Sequence, residues 1–400
     1  MSIIPCVPFG SAFRAVLWTC AFLPVVASAG ESGVSLERRM LRDAGDGELD
    51  AFSLLDAAVV ANGIDSFDDC RRWTRIVDDA ASAMAPRVEP IEGRRDRAAV
   101  LLAAMHKQLL RGEYRAECTD LQKTLSTGNY NCVSATIVFH ALCRRFGIEP
   151  VAVATPTHVY TRIVTELGPI DVQTTCPRWF ELSADQREAV TPPTAGTPRE
   201  ISDVELIAKV YYNQGVRCLE SNRFEQAERA FDRSLLLDPR DALANENLLA
   251  TLNNWALACC DGEEFEQAVR LLDRGRRIDR TYAAFGANEL HVYQRWAQCH
   301  CRSGDFESAI DVLRDGASRR PDAPLFRDGP VAVYRMWAKS LARGGRTSEA
   351  ARVLARALEA YPDQPELVAD HGRIESVSAA GQAGTRAGDT RLRAEGPTGE

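Results

Sequence analysis

Cys132, His158, Asp171 and Gln173 fall in one stretch of the chain, in an order that suits a cysteine nucleophile. Such chemistry needs a base to take the thiol proton and a third group to orient the base. Cys132 follows Asn131, a favoured helix N-cap, and opens a helix that Val133, Ile137, Val138, Phe139, Ala141 and Leu142 make apolar nearly all round. A buried helix has that pattern. Arg144, Arg145 and Gly147 mark its end. A thiol in the first turn faces unpaired N–H groups and the positive end of the helix dipole, which predicts a lowered pKa. The same N–H groups could receive the oxyanion of an acyl-transfer intermediate.

Three strands are predicted to carry the other groups: Val151 to Thr155, His158 to Val164 and Ile170 to Thr175, with Gly168-Pro169 in the last turn. Alternate strand residues share a face. Asp171 and Gln173 therefore point the same way, and either could hold the His158 ring. Before this stretch, residues 31–128 read as helices with apolar residues at helical spacing, broken at Pro86 to Glu92. His106, on the third of these helices, reads as packing or surface rather than as a ligand.

The chain has 400 residues, enough for two or three domains. Hydrophobic content of 45%, charged content of 26% and a net charge of −8 fit a globular protein and give no nucleic-acid footprint. Residues 1–29 read as a secretory signal: Arg14, the short apolar run AVLWTCAFLPVV, then Ala27-Ser28-Ala29 as a cleavage site. The run is too short to span a bilayer. An exported, periplasmic or secreted location permits disulfides. Cys70, Cys118, Cys143 and Cys176 could then pair, with a connectivity that sequence does not give.

Past a Pro-rich linker, 191–204, the chain repeats. Ala227, Ala268, Ala309 and Ala350 are spaced by 41 residues. Gln214, Trp255, Trp296 and Trp337 precede them at a constant interval, each followed by a small residue: Gly215, Ala256, Ala297, Ala338. Pro239, Pro321 and Pro362 follow three of the alanines, with Arg280 in the remaining unit. Cys218, Cys259 and His300 share one repeat position, but on helices rather than in short loop pairs, and read as interior packing with no metal. From 371 to 400 the chain is small and charged and reads as a disordered tail.

Two resemblances follow. The Asn-Cys helix start, the Gly-Ile after it, Pro-x-His-Val-Tyr and Asp-Val-Gln-Thr-Thr resemble the transglutaminase-like superfamily, which is papain-like in chemistry. That resemblance implies an α+β domain over 30–190, helices with a small antiparallel sheet. It makes Cys132 the nucleophile and His158 the general base, with no cofactor, for acyl transfer at an amide bond of a protein or peptide. Asp171 is the favoured third member, because a carboxylate stabilises an imidazolium better than an amide; Gln173 is the alternative. The 41-residue unit resembles the tetratricopeptide repeat, whose usual period is about 34. That implies an all-α solenoid of about four hairpins over 205–370, with longer first helices and tryptophans between the paired helices. Its concave face would bind protein or peptide. The competing reading is a non-catalytic scaffold, in which both parts only bind.

Overall fold

The computed structural model describes residues 34–191 and 196–377. The expected signal, 1–29, lies outside them.

The helices expected before residue 128 are α1 (Leu36–Asp43), α2 (Leu54–Ala61), α3 (Phe67–Val88), α4 (Arg94–Gln108) and α5 (Leu121–Thr127). Ser53 and Asp56 close a capping box on α2, and the Ser66 hydroxyl caps α3. Pro86 does not break the chain as expected. It sits in the last turn of α3, which runs on to Val88 even though the proline cannot donate to the carbonyl of Ser82. Helix α6 (Cys132–Arg145) is buried along most of its length.

A four-stranded antiparallel sheet follows in the order β3-β2-β1-β4, built from β1 (Pro150–Ala154), β2 (Val159–Thr165), β3 (Gly168–Val172) and β4 (Arg199–Ile201). Between β3 and β4 lies a short helix, α7 (Ala184–Val190). Thr161 and Ile163 of β2 are fully buried, and Thr161 Oγ1 meets His140 Nε2 of α6 at 3.1 Å.

The stretch expected to be a linker, 191–204, is more than that. It supplies β4, which pairs with β1 at Ala152↔Ile201 and Ala154↔Arg199. An unpaired β1 edge would leave its backbone groups open. Ser202 then caps α8 (Asp203–Glu220) in a capping box with Glu205. Leu206, Ile207, Ala208, Val210 and Tyr211 of α8 join the core that holds α6. Polar latches reinforce the junction: Arg144 to Asp203 at 2.6 Å, Tyr211 Oη to Glu37 at 2.9 Å, and Gln214 Nε2 to the Ala61 carbonyl at 2.9 Å.

Helix α8 also opens the repeats. It pairs with α9 (Phe224–Leu237), and the pattern continues as α10 (Ala242–Asp261) with α11 (Phe265–Ile278), α12 (Ala283–Ser303) with α13 (Phe306–Arg319), and α14 (Pro324–Arg343) with α15 (Thr347–Ala360). Every second helix has 14 residues, whereas the first helices of the later hairpins have 20, 21 and 20, so the extra length is in the first helix as expected. Ala227, Ala268, Ala309 and Ala350 are fully buried.

Small residues let the helices close. A Cβ on Gly275 would stand 2.2 Å from Phe285, and one on Gly316 would stand 2.1 Å from Phe326. Those glycines and those phenylalanines are each one repeat apart. The tryptophans differ from expectation: all three are half-buried, and two of them bridge successive hairpins. Trp296 stacks on Phe265 and Trp337 on Phe306, with ring centroids 5.8 and 6.0 Å apart. Each turn inside a hairpin takes one left-handed residue at the same register: Asn222, Glu263, Gly304 and Gly345. Residues 371–377, expected to begin a disordered tail, continue a helix that buries Leu367.

Candidate functional site

The head of α6 is built before its cysteine is placed. Asn131 accepts the Ser134 N–H at 3.0 Å, and Ser134 Oγ accepts the Asn131 N–H at 3.0 Å. The two caps then reach backwards. Asn131 Nδ2 donates to the Ala116 carbonyl and to Thr119 Oγ1, and Ser134 Oγ donates to the Cys118 carbonyl at 2.9 Å. From the other side Asn213 of α8 donates to Thr119 Oγ1 at 2.9 Å. The segment 116–119 is thus clasped between the cap of α6 and the repeat arm.

Cys132 is 9% exposed. Burial is the larger influence and pushes its thiol up, against the N–H groups of Val159, Val133 and Cys132 itself, which favour the thiolate. The lowered pKa expected from the helix end is therefore not what the site provides. The N–H groups are there, but desolvation of the sulfur outweighs them. The Val159 amide places Cys132 one residue from His158.

Of the two side chains expected to hold the His158 ring, Gln173 reaches it and Asp171 does not. His158 Nε2 donates to Gln173 Oε1 at 2.6 Å. A carbonyl oxygen only accepts, so Nε2 carries the proton and Nδ1 of the neutral ring keeps its lone pair. Asp171 is paired with Arg162, which donates from Nε at 2.7 Å and from a terminal nitrogen at 3.0 Å. Strand register explains the split. Arg162 lies directly opposite Asp171, and His158 is four residues along the strand, about 13 Å away. Strand β3 ends at Val172, and Gln173 turns inward to become 4% exposed. Burial lowers the His158 pKa, while the Gln173 hydrogen bond opposes that shift.

Neighbouring polar groups fix this corner. His106 Nε2 bonds the Thr174 carbonyl at 2.9 Å, and Thr136 Oγ1 bonds Thr174 Oγ1 at 2.9 Å. His106 is a packing residue, buried edge-on to Tyr130. One site residue was not singled out from the sequence. Tyr114 is half exposed, packs edge-on to Tyr130, and stands close enough to Cys132 for a thiolate charge to raise its own pKa, after burial. The segment carrying it pairs with 128–130, as in the Arg115 N–H to Tyr130 carbonyl bond at 2.8 Å.

The disulfides allowed by composition are not formed. All ten described cysteines are free thiols. Cys70, Cys118 and Cys143 are buried; Cys70 donates to Asp56 Oδ1 at 3.2 Å, and burial raises its thiol to about 12. In the arm, Cys259 is buried, Cys218 is half-buried and its thiol faces Gln226, and His300 Nδ1 stands 3.6 Å from Asp305.

The arm has its own concavity. Gln294, Gln298, Leu325, Val333 and Met336 line a cavity of about 450 Å³ between the first helices α12 and α14. Arg295 also lines it, and its Nε is buried without a hydrogen-bond partner among the described residues. No helix among the described residues is long and apolar enough to cross a membrane.

Comparison with known families matches tetratricopeptide repeat models at residues 208–241 and at residues 331–374. Those segments are the first hairpin, with the turn that follows it, and the last hairpin with the helical residues beyond. Among curated proteins nothing matches. The chain therefore carries tetratricopeptide repeats, and these repeats support a protein-interaction arm.

Proposed function

We propose that this chain joins a cysteine acyl-transfer site to its protein-interaction arm, and that the site acts on an amide bond of a protein or peptide. The observation that carries the reading is the His158–Gln173 hydrogen bond of 2.6 Å beside the residue whose N–H faces Cys132. In this mechanism Cys132 Sγ attacks the amide carbonyl carbon while its proton passes to His158 Nδ1. The imidazolium then protonates the leaving nitrogen as the C–N bond breaks, which leaves an acyl-thioester. Water attacking the thioester gives hydrolysis; a primary amine gives cross-linking. The N–H groups around the sulfur would receive the oxyanion. Gln173 keeps the proton on Nε2 and so keeps Nδ1 free to act as base.

Burial raises the thiol and lowers the ring, so the resting pair is neutral and the proton moves during attack rather than before it. The same burial favours a second reading, in which Cys132 is a packing thiol and the unit is a scaffold for partners held by the arm. Incubating the full chain with a peptide-amide library and a primary amine, then reading masses after an acid quench, separates the two. The acyl-transfer reading expects an acyl adduct on Cys132 that is lost in Cys132→Ser. No adduct on Cys132, or equal turnover in the variant, leaves the scaffold.

Export is part of the proposal, resting on the apolar run and the Ala27-Ser28-Ala29 site. N-terminal sequencing of protein from its native host should begin at Gly30; an intact Met1 overturns it.

A further inference from the structure

At the head of the arm, between α8 and α9, lies a pocket of about 330 Å³ lined by Gln214, Arg217, Arg223, Gln226, Arg229 and Arg233. Its arginines are not alike. Arg233 faces Glu37 at 2.8 Å, and Arg229 faces Glu225 across an exposed helical turn. Arg217 and Arg223 hold only neutral oxygens: the Glu117 carbonyl at 2.9 Å and Gln226 Oε1 at 3.0 Å. Among the described residues neither has a carboxylate partner.

The repeat supplies an internal comparison. One pocket of similar size in the last hairpin is lined by Trp337, Arg346, Glu349, Arg352 and Arg356, the same register three repeats on. There Glu349 stands where Gln226 stands in the first hairpin. It takes both Arg346 donors, at 2.6 and 2.5 Å, and Arg356 is paired with Glu307 at 2.7 Å. The two pockets share their scaffold and most of their arginines. They differ in whether the protein fills its own guanidinium fork.

We propose that the first-hairpin pocket binds an oxyanion, phosphate or carboxylate, on Arg217 and Arg223, with the Gln214 and Gln226 amides at its wall. A guanidinium offers a planar fork of donors that fits two oxygens of such a group. Replacing glutamate by glutamine at the position facing that fork leaves its charge uncompensated while preserving a wall of the same size. The pocket lies next to the clasped segment, because Arg217 donates to the Glu117 carbonyl and Glu117 precedes Cys118. The proposal stands without the acyl-transfer reading.

Titration calorimetry of the full chain at low ionic strength tests it, with inorganic phosphate and succinate as separate probes. One saturable site is expected. Whichever probe binds more tightly identifies the source as phosphate or carboxylate. Arg223→Gln should weaken binding by at least about tenfold, and Gln226→Glu, which recreates the filled fork, should abolish it. Arg346→Gln, the matching change in the last hairpin, should leave binding unchanged. Circular dichroism checks that each variant is folded, and the conservative Gln226→Glu keeps the test usable if Arg223→Gln is not. Absence of saturable heat with both probes overturns the proposal. So does equal weakening by Arg223→Gln and Arg346→Gln, which would mark a diffuse cationic surface.

Discussion

His106, His140 and His158 are buried around α6, whereas His291, His300 and His371 of the repeat arm lie at or near the surface. The two regions handle interior polarity in different ways. Around α6 the buried polar groups are mostly neutral and joined by hydrogen bonds, as with Asn131, Ser134, Thr119, Gln173 and Thr174. In the arm the buried polar groups include carboxylates held by arginines, such as Glu289, which meets Arg276 at 2.9 Å and Arg319 at 3.2 Å. The arm's core also repeats a close fit of glycines against phenylalanine rings, at Gly215, Gly275 and Gly316. The cysteine-bearing unit has an interior that titrates; the arm has an interior that interlocks. Function that depends on moving a proton belongs to the first kind, and a surface that must hold its shape belongs to the second.

Acid should separate the two regions most strongly. Burial pushes His140 down to about 3 and also lowers His106 and His158. A ring with a depressed folded pKa favours folding when neutral. Its contribution is complete above about pH 6.5 and is lost as pH falls toward the folded value. From His140 alone the loss is roughly 5 kcal/mol over that whole window, of which roughly 3 falls above pH 4.5. Urea melts at pH 7 and pH 4.5, on variants keeping tryptophan only at Trp73 and Trp179 or only at Trp255, Trp296 and Trp337, should show the first set losing more stability. Parallel loss in both sets breaks the comparison.

The interlocking core is tested by Phe326→Ala. Its ring is 2% exposed and fills the space beside Gly316. The substitution should cost about 3–5 kcal/mol by urea unfolding. A loss under about 1 kcal/mol would mean that the hairpins do not need this contact.

Gln173→Leu and Asp171→Asn sharpen the site itself. If Gln173 orients the ring, its loss should slow iodoacetamide labelling of Cys132 at pH 7 by about ten- to a hundredfold. Asp171→Asn should leave that rate within about twofold and cost under about 1 kcal/mol, since the Arg162 pair is partly solvated. Site-resolved mass spectrometry reads both variants, and the opposite ranking would return the third role to Asp171.

Trp337→Ala should cost about 2 kcal/mol in thermal or urea unfolding, roughly half of what a fully buried ring costs. A full-sized loss would show that the ring is more enclosed than its half-buried stacking on Phe306 implies. The smallest change is a gain. Glu263 takes φ 63°, a conformation for which two other repeats use glycine. Glu263→Gly should stabilise the arm by about 0.5–1 kcal/mol, net of the added freedom of the unfolded chain. A fall in stability would mean that the Arg302 contact at 3.4 Å outweighs the strain.

Much of the arm was legible because one spacing, 41 residues, carried the turns, the small residues and the alanines together. What spacing does not carry is depth. The tryptophans were in register, but Trp296 and Trp337 stack across a hairpin boundary rather than inside a hairpin. In the first region the order of Cys132, His158 and the return strand was readable. The choice between Asp171 and Gln173 was not, because it turns on which residue faces Arg162 and where β3 ends. Strand β4 was hidden by its neighbours. Pro192, Pro193 and Pro198 read as a linker, and three residues give no period. The arginine pocket was also missed, although its signal was present: aligning the repeats at 41 sets Gln226 against Glu349.

Helix α8 belongs to two structures at once, the last element of the cysteine-bearing core and the first of the repeat array. A tether would let a captured partner search many positions relative to Cys132. A shared helix instead makes the array a ruler. Under the acyl-transfer reading, what the protein measures on a partner is the length of chain between the gripped segment and the amide to be cut or joined. Partners with the right sequence at the wrong spacing would then be held and left unmodified.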